Sequence, residues 1–309
     1  MSVATQSARP ISLSALQSIV RCPRTGQNLE ASSDGSFVTA DGEIRYAARN
    51  GIPDLQRPPE RFTMDVPWFE PWSTLESMRA EPPEPIEDPD LPYHLDPYQL
   101  AVIGQHGYGR RVLEIGCGER QCEGFLVPRD FGYVGVDVDH RGPGPNLFAD
   151  AHNLPFASNT FDIALSMAVY QHLANPIQAA KEAARVLKPG GTYLATAAFV
   201  YGWTDRASFF HMSHAGLLMI LKYAGFENIR VWPDWAYSES IPNMSFSSPM
   251  ARPWRRGAEL TLSLLEWSYT QTARATRTLA GKPPLSSTNR DLKTAGSLTF
   301  VAQKPASDT

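Results

Sequence analysis

The chain has 309 residues, which at roughly 100–200 residues per domain makes one large domain or a medium one with sizeable additions. Its 28 Lys and Arg against 32 Asp and Glu give a net charge of −4 and a pI near 6.0, a balance that argues against a protein built to coat nucleic acid or an anionic membrane. At 42% hydrophobic and 19% charged it is too apolar for a disordered chain, and no apolar run approaches the roughly 18–20 residues of a membrane span.

Residues 1–10 lack the apolar stretch and cleavage site of a secretory signal, so a cytoplasmic address is expected. Cys22, Cys117 and Cys122 are too few and too poorly spaced for a disulfide framework or a paired Cys-x-x-Cys metal site, which leaves reduced thiols. Between Pro53 and Pro97 the composition changes: 11 of the 26 prolines fall there with 11 acidic residues. Proline fixes φ and removes donors, so this stretch is expected to be an extended linker or a lid, with Trp68, Phe69 and Trp72 as its apolar content. Asp96 and Pro97 then open a helix ending at Gly107. The apolar runs 111–116, 133–137, 146–149 and 161–166 predict four strands. Asn175 and Pro176 start another helix, which Pro189-Gly-Gly191 stops, and a fifth strand covers 192–198. A helix at 215–224 and a sixth strand at 226–232 come next. The alternation predicts an α/β fold with a parallel sheet and helices on both faces.

A last strand-like run, 297–302, comes more than sixty residues after the sixth strand. The insertion between them, at about 235–295, contains a helical pattern over 258–280 with Leu260, Leu264 and Trp267 on one face. Arg252, Arg255, Arg256, Arg274 and Arg277 cluster around its ends. A basic amphipathic helix can lie on a membrane or meet an anionic substrate; the plainer expectation is a helix packed across the mouth of the sheet with its arginines in water.

The stretch Val112-Leu-Glu-Ile-Gly-Cys-Gly118 is a strand followed at once by a Gly-x-Gly turn, where glycine lets the backbone approach a ligand at the carboxyl edge of the sheet. Asp137 ends the next strand, about 20 residues on, where a carboxylate can accept from both hydroxyls of a ribose. Asp150 and Ala151 come after the third strand, where they could meet an adenine edge. Together these describe an adenosine pocket. Position 121 is Gln where a dinucleotide fingerprint needs its third glycine, and Glu114 inside the strand would repel a pyrophosphate. A cationic adenosine ligand is favoured.

The segments LEIGCG at 113–118, VGVDVD at 134–139, DAHNLPF at 150–156, FDIALSMAVYQHL at 161–173 and AARVLKPGGTYL at 183–194 resemble the class I S-adenosylmethionine-dependent methyltransferases, in the small-molecule branch, in order and spacing over about 100 residues. The resemblance implies a Rossmann-like, seven-stranded methyltransferase sheet over 97–309 and S-adenosyl-L-methionine as cofactor. It implies that Glu114, Gly116, Cys117 and Gly118 line the methionine part, Asp137 and Val138 the ribose and adenine, Asp150 and Ala151 the adenine amino edge, and that Ser166 and Met167 close the pocket below the sulfonium. Arg120 stands where the family's first loop often has a third glycine. Within residues 1–57, Leu16 with Val20-Arg-Cys-Pro23, Gln27-Asn-Leu29 and Tyr46 with Gly51-Ile-Pro-Asp-Leu55 resemble, over about 40 residues, the small zinc-ribbon-like domain found ahead of some bacterial methyltransferases and as a methyltransferase activator subunit. Most of its zinc ligands are absent here, so a small, metal-free β-rich domain is expected, with a Pro-rich acidic linker or lid over 58–96.

Methyl transfer from a sulfonium is an in-line displacement, so the enzyme chiefly orients an acceptor and excludes water. A hydroxyl acceptor profits from a base of near-neutral pKa, for which His172 and His211 are the first candidates, with His214, Tyr93 and His94 behind them. The expected activity is O-methylation of a small-molecule or sugar-type hydroxyl. N- or C-methylation of a small metabolite, and a non-catalytic cofactor-binding partner of another enzyme, are the alternatives. A lipid-linked glycan acceptor at a membrane rests on the basic helix alone. A nucleic-acid substrate is not expected, since neither an Asn/Asp-Pro-Pro-aromatic motif nor a basic stripe with interleaved aromatics is present.

Overall fold

A computed structural model describes residues 11–57, 71–93, 95–107, 109–120, 122–140, 142–202, 208–245, 251–282 and 294–306. His94, Gln121, Trp68 and Phe69 lie outside them.

The first segment opens with α1 (Leu13–Ile19), capped by the Ser12 hydroxyl, which accepts from the Ala15 amide. Strands β1 (Leu29–Ala31), β2 (Phe37–Thr39) and β3 (Arg45–Tyr46) make an antiparallel three-stranded sheet, and β4 (Ala48–Arg49) and β5 (Ile52–Pro53) a hairpin. Single bridges tie this segment to later parts of the chain, Val20 to Phe156 and Asp54 to Phe148. Leu16, Val20, Leu29, Phe37 and Tyr46 belong to the same buried cluster as Val136, Leu154 and Phe156. The Cys22 thiol meets the Tyr46 hydroxyl at 3.2 Å, and among the described residues no group of three or more His, Cys, Asp or Glu side chains could hold a metal ion.

Part of the proline-rich stretch is helical rather than extended: α2 covers Pro71–Met78. Proline is tolerated at the first helical position, where its missing N–H had no partner in any case. Met78 at the far end is buried, and Arg79 bridges to Val231.

The main sheet contains β6 (Arg111–Ile115), β7 (Gly132–Asp137), β8 (Leu147–Phe148), β9 (Phe161–Ser166), β10 (Leu187–Ala198), β11 (Glu227–Pro233) and β12 (Ser297–Gln303), ordered β11-β12-β10-β9-β6-β7-β8. Neighbours from β10 to β8 pair in parallel. The expectation of a parallel sheet is corrected at β12, which runs antiparallel to both β10 and β11. The reason is where it enters. Ser297 pairs with Ala198, at the carboxyl end of β10, and Leu298 with Pro233, so a strand starting at that edge must run back down.

Two apolar clusters lie on the two faces. One joins the N-terminal segment to α5 (Pro176–Val186) and α6 (His214–Tyr223); the other joins α3 (Pro97–Gly104) and α4 (Glu123–Leu126) to the opposite side of the same strands. The period of two along β6 shows the division: Leu113 and Ile115 face the first, Val112 the second. Beyond β11 come α7 (Tyr237–Ser245) and α8 (Arg252–Leu279). The expected helix at 258–280 therefore begins earlier, and it does not pack across the sheet: no residue of α8 is buried. No helix of the described residues is long and apolar enough to cross a membrane.

Candidate functional site

The carboxyl edge of the sheet opens into a cavity of about 990 Å³. On the β7–β8 side it is lined by Gly116, Gly118, Asp137, Val138, Asp150 and Ala151, with Met167 and His172 from the turn after β9. On the β10–β12 side its wall is Tyr93, Asp96, Thr196, Tyr201, Asp234, Trp235 and Ser297.

The β6 turn is built on glycine. Gly116 has φ +74°, and a Cβ there would stand 2.3 Å from Val169 Cγ2. Arg120 also adopts a left-handed φ, +56°, and pairs with Glu123 at 2.7 Å instead of reaching into the cavity. Asp137 is set by two backbone donors: the Gly118 amide to Oδ2 at 2.9 Å and the Asp139 amide to Oδ1 at 3.0 Å. Its carboxylate is thereby held in one orientation at the lip of the cavity. The Val138 side chain, half exposed beside it, offers an apolar rim.

Asp150 Oδ1 accepts from the backbone amide of His152 at 2.8 Å and meets its Nδ1 at 2.6 Å. The Asn175 amide donates to Nε2 of the same ring, so the imidazole proton sits on Nδ1 and points at Asp150. Burial works to raise the Asp150 carboxyl, but the bonds from His152 hold it below its usual range. His152 is not among the residues expected from sequence, although it lies inside the 150–156 motif.

Five expected residues are not on the cavity wall, among them His214, whose Nε2 lies 3.1 Å from the Arg79 guanidinium. Glu114 faces the α3–α4 side, as the period of two requires of a residue in register with Val112, and is buried against the Tyr133 hydroxyl, which donates to it. Burial pushes it up to about 7. Cys117 is buried under the turn, where its Sγ would stand 2.9 Å from a Cβ on Gly135. Ser166 is buried within β9. His211, expected near an acceptor, hydrogen-bonds Ser208 at 2.9 Å on the surface. His172 does line the cavity, with its Nε2 3.2 Å from the Gln171 amide nitrogen.

The β10–β12 wall holds groups that sequence reading missed. Asp96 caps α3: its Oδ1 accepts from the Gln99 amide at 2.6 Å, and Gln99 Oε1 accepts from the Asp96 amide. Asp234, just past β11, accepts from the Ser297 hydroxyl at 2.5 Å. Burial also raises Asp96 on the same wall. Burial, with the charges of Asp96 and Glu239 adding to it, pushes Asp234 up to about 6. Rings of Tyr201 and Trp235 meet edge to face at 5.5 Å beside the pair.

Residues 113–195 match the family model described as methyltransferase domain. An uncharacterized methyltransferase of Mycobacterium marinum is 34% identical over 103 residues, 30% of this chain and 40% of the relative. One from Mycobacterium sp. (strain JLS) is 36% identical over 105 residues, 31% of this chain and 41% of its own length. The matched stretch thus spans about two fifths of these relatives. Among solved structures, phosphoethanolamine N-methyltransferase 2 of Haemonchus contortus in complex with S-adenosyl-L-methionine aligns over 76% of this chain and 53% of its own, at 19% identity and a TM-score of 0.41. The YcgJ protein of Bacillus subtilis aligns over 67% and 97%, at 16% identity and a TM-score of 0.41.

Proposed function

We propose, from the premise that residues 113–195 form a methyltransferase domain, that the chain is an S-adenosylmethionine-dependent methyltransferase that methylates a hydroxyl of a small molecule or sugar. The observation that carries this reading is the Asp137 carboxylate, its two oxygens aligned by the amides of Gly118 and Asp139 at the lip of a large cavity. Each carboxylate oxygen keeps lone-pair capacity beyond its backbone bond, so the pair of them can still receive the two hydroxyls of a ribose. A volume of about 990 Å³ is at the upper end of small-molecule sites, which run to roughly 1,000 Å³, and admits a nucleoside and an acceptor together.

In this reading Gly116 and Gly118 border the methionine part, Val138 covers the adenine, Asp150 and Ala151 meet its amino edge, and Met167 lies below the sulfur. When bound, S-adenosylmethionine supplies a methyl group on a cationic sulfur, open to in-line attack. The protein aligns the acceptor oxygen, keeps water from the path and receives the proton that the oxygen gives up. His172 is one proton acceptor on the wall. The Asp234 carboxyl on the opposite wall, pushed up to about 6, is the other.

Calorimetry with S-adenosylhomocysteine tests the reading at its base. The wild-type chain is expected to bind, and Asp137→Ala to bind about 10–100-fold more weakly, the equivalent of losing hydrogen bonds to a charged group. Unchanged affinity in a folded Asp137→Ala variant overturns the assignment. Labelled S-adenosylmethionine incubated with extract of the host then identifies the acceptor and the atom that receives the methyl group.

A further inference from the structure

The helix α8 runs for 28 residues without burying one of them. Its half-buried positions, 255, 258, 259, 262, 266, 270, 273 and 277, recur every three or four residues and mark an inner side. The outer side is apolar to a degree unusual for a surface: Trp254 is 73% exposed, Leu260 67%, Leu264 65% and Trp267 63%. Arg256, Leu260, Leu264, Trp267 and Arg274 succeed one another along it at helical spacing.

Charge separates the two sides. The helix's two acids, Glu259 and Glu266, both lie on the inner side, and Arg255 pairs with Glu259 there at 3.7 Å. Arg252, Arg256, Arg274 and Lys282, all exposed, lie at the two ends. The exposed side is therefore an apolar centre between cationic ends with no acid of its own.

A second copy of the chain fits this surface badly. Because both ends are basic, parallel and antiparallel pairing alike set arginine against arginine. A spanning helix is excluded by its composition. Anionic headgroups above acyl chains complement it: cations reach the phosphates while Leu and Trp enter the apolar boundary.

We propose that α8 docks its outer side on an anionic bilayer, lying in the plane of the headgroups. The contact is independent of methyl transfer, and its test reads binding alone. No residue of the helix lines the cavity, but a neighbouring element approaches it. The helix's partner in packing is α7, where Met244 would crowd a Cβ on Gly202 at 3.2 Å, next to Tyr201 of the wall. Docking thus brings the β10–β12 side of the cavity toward the lipid.

The full-length chain is sedimented with vesicles of phosphatidylcholine alone and with vesicles of phosphatidylcholine and phosphatidylglycerol in equal parts. Binding is expected to the mixed vesicles only, and to weaken with salt. Arg256→Glu with Arg274→Glu is expected to weaken it at least about tenfold. Leu260→Ser with Leu264→Ser should do the same with the charge intact. These positions are exposed, so the fold is spared, and circular dichroism verifies this. In bound protein, brominated lipid should quench fluorescence that Trp254→Phe with Trp267→Phe removes. Absence of binding, equal binding to both vesicles, or variants that bind as wild type overturn the proposal. So does a dimer in sedimentation velocity that the leucine variant dissolves, which would give the surface to a second copy.

Discussion

Two carboxyls, Glu114 and Asp234, stand well above their usual range, and they act in the same direction. Glu114 is pushed up to about 7 and Asp234 to about 6, in both cases mainly by burial. A raised folded-state pKa means that the native chain binds protons more tightly than the unfolded chain, so stability is greatest at low pH and falls as pH rises. For Asp234 the window runs from near the unfolded value of about 3.9 up through about 6. Asp234→Asn keeps an acceptor for Ser297 and removes the titration. Its urea midpoint is expected to exceed the wild type's increasingly from pH 4 to 7, with a gain on the order of 2 kcal/mol at the upper end. A wild-type midpoint flat across this range would contradict the burial of that charge. If Asp234 receives the acceptor's proton, the same variant lowers kcat and shifts its acid limb, while His172→Ala leaves that limb in place.

At the scale of elements, turns and caps decide what can be substituted. Gly116→Ala combines a left-handed φ of +74° with a Cβ 2.3 Å from Val169. The expected result is a loss of at least about 1–2 kcal/mol in thermal stability together with loss of nucleoside binding. The elements that could be read from sequence are those announced locally. Asp96-Pro97 and Asn175-Pro176 are caps followed by proline, and both helices start there. The glycine turn and Asp137 were legible for the same reason, each lying at the end of its own strand. The direction of β12 was not, because it depends on which edge the chain returns to after α7 and α8. The side of the sheet that Glu114 occupies could have been counted from Val112 but was masked by its place in the motif. Residues 201, 234 and 297 come from three distant stretches that the pairing of β10, β11 and β12 brings together, and Asp96 joins them from α3, whose Gln99 side chain donates to the Thr299 hydroxyl.

Over the whole molecule, the N-terminal segment is part of the core and not an appendage. Val20 and Phe156 form a bridge, the Arg49 guanidinium lies 3.6 Å above the Phe148 ring, and the Leu55 amide donates to Phe148 O. A chain starting at residue 58 would uncover Leu154, Phe156 and neighbouring side chains, at roughly 1.5–3 kcal/mol for each large one. Such a chain is expected to melt far below the full-length protein or to aggregate, as a thermal melt monitored by circular dichroism would record. A melt equal to the full chain's would make the segment dispensable.

The sheet order also has a consequence for biosynthesis. β12 is wedged between β10 and β11, yet in chain order it comes after both and after the long helices beyond them. A nascent polypeptide that has emerged as far as α8 therefore carries the open edge of β10 and a β11 whose one strand neighbour in the sheet is still missing, an adhesive template for neighbouring chains. Pauses in translation within the α7–α8 stretch should be the moment at which this protein most needs a chaperone.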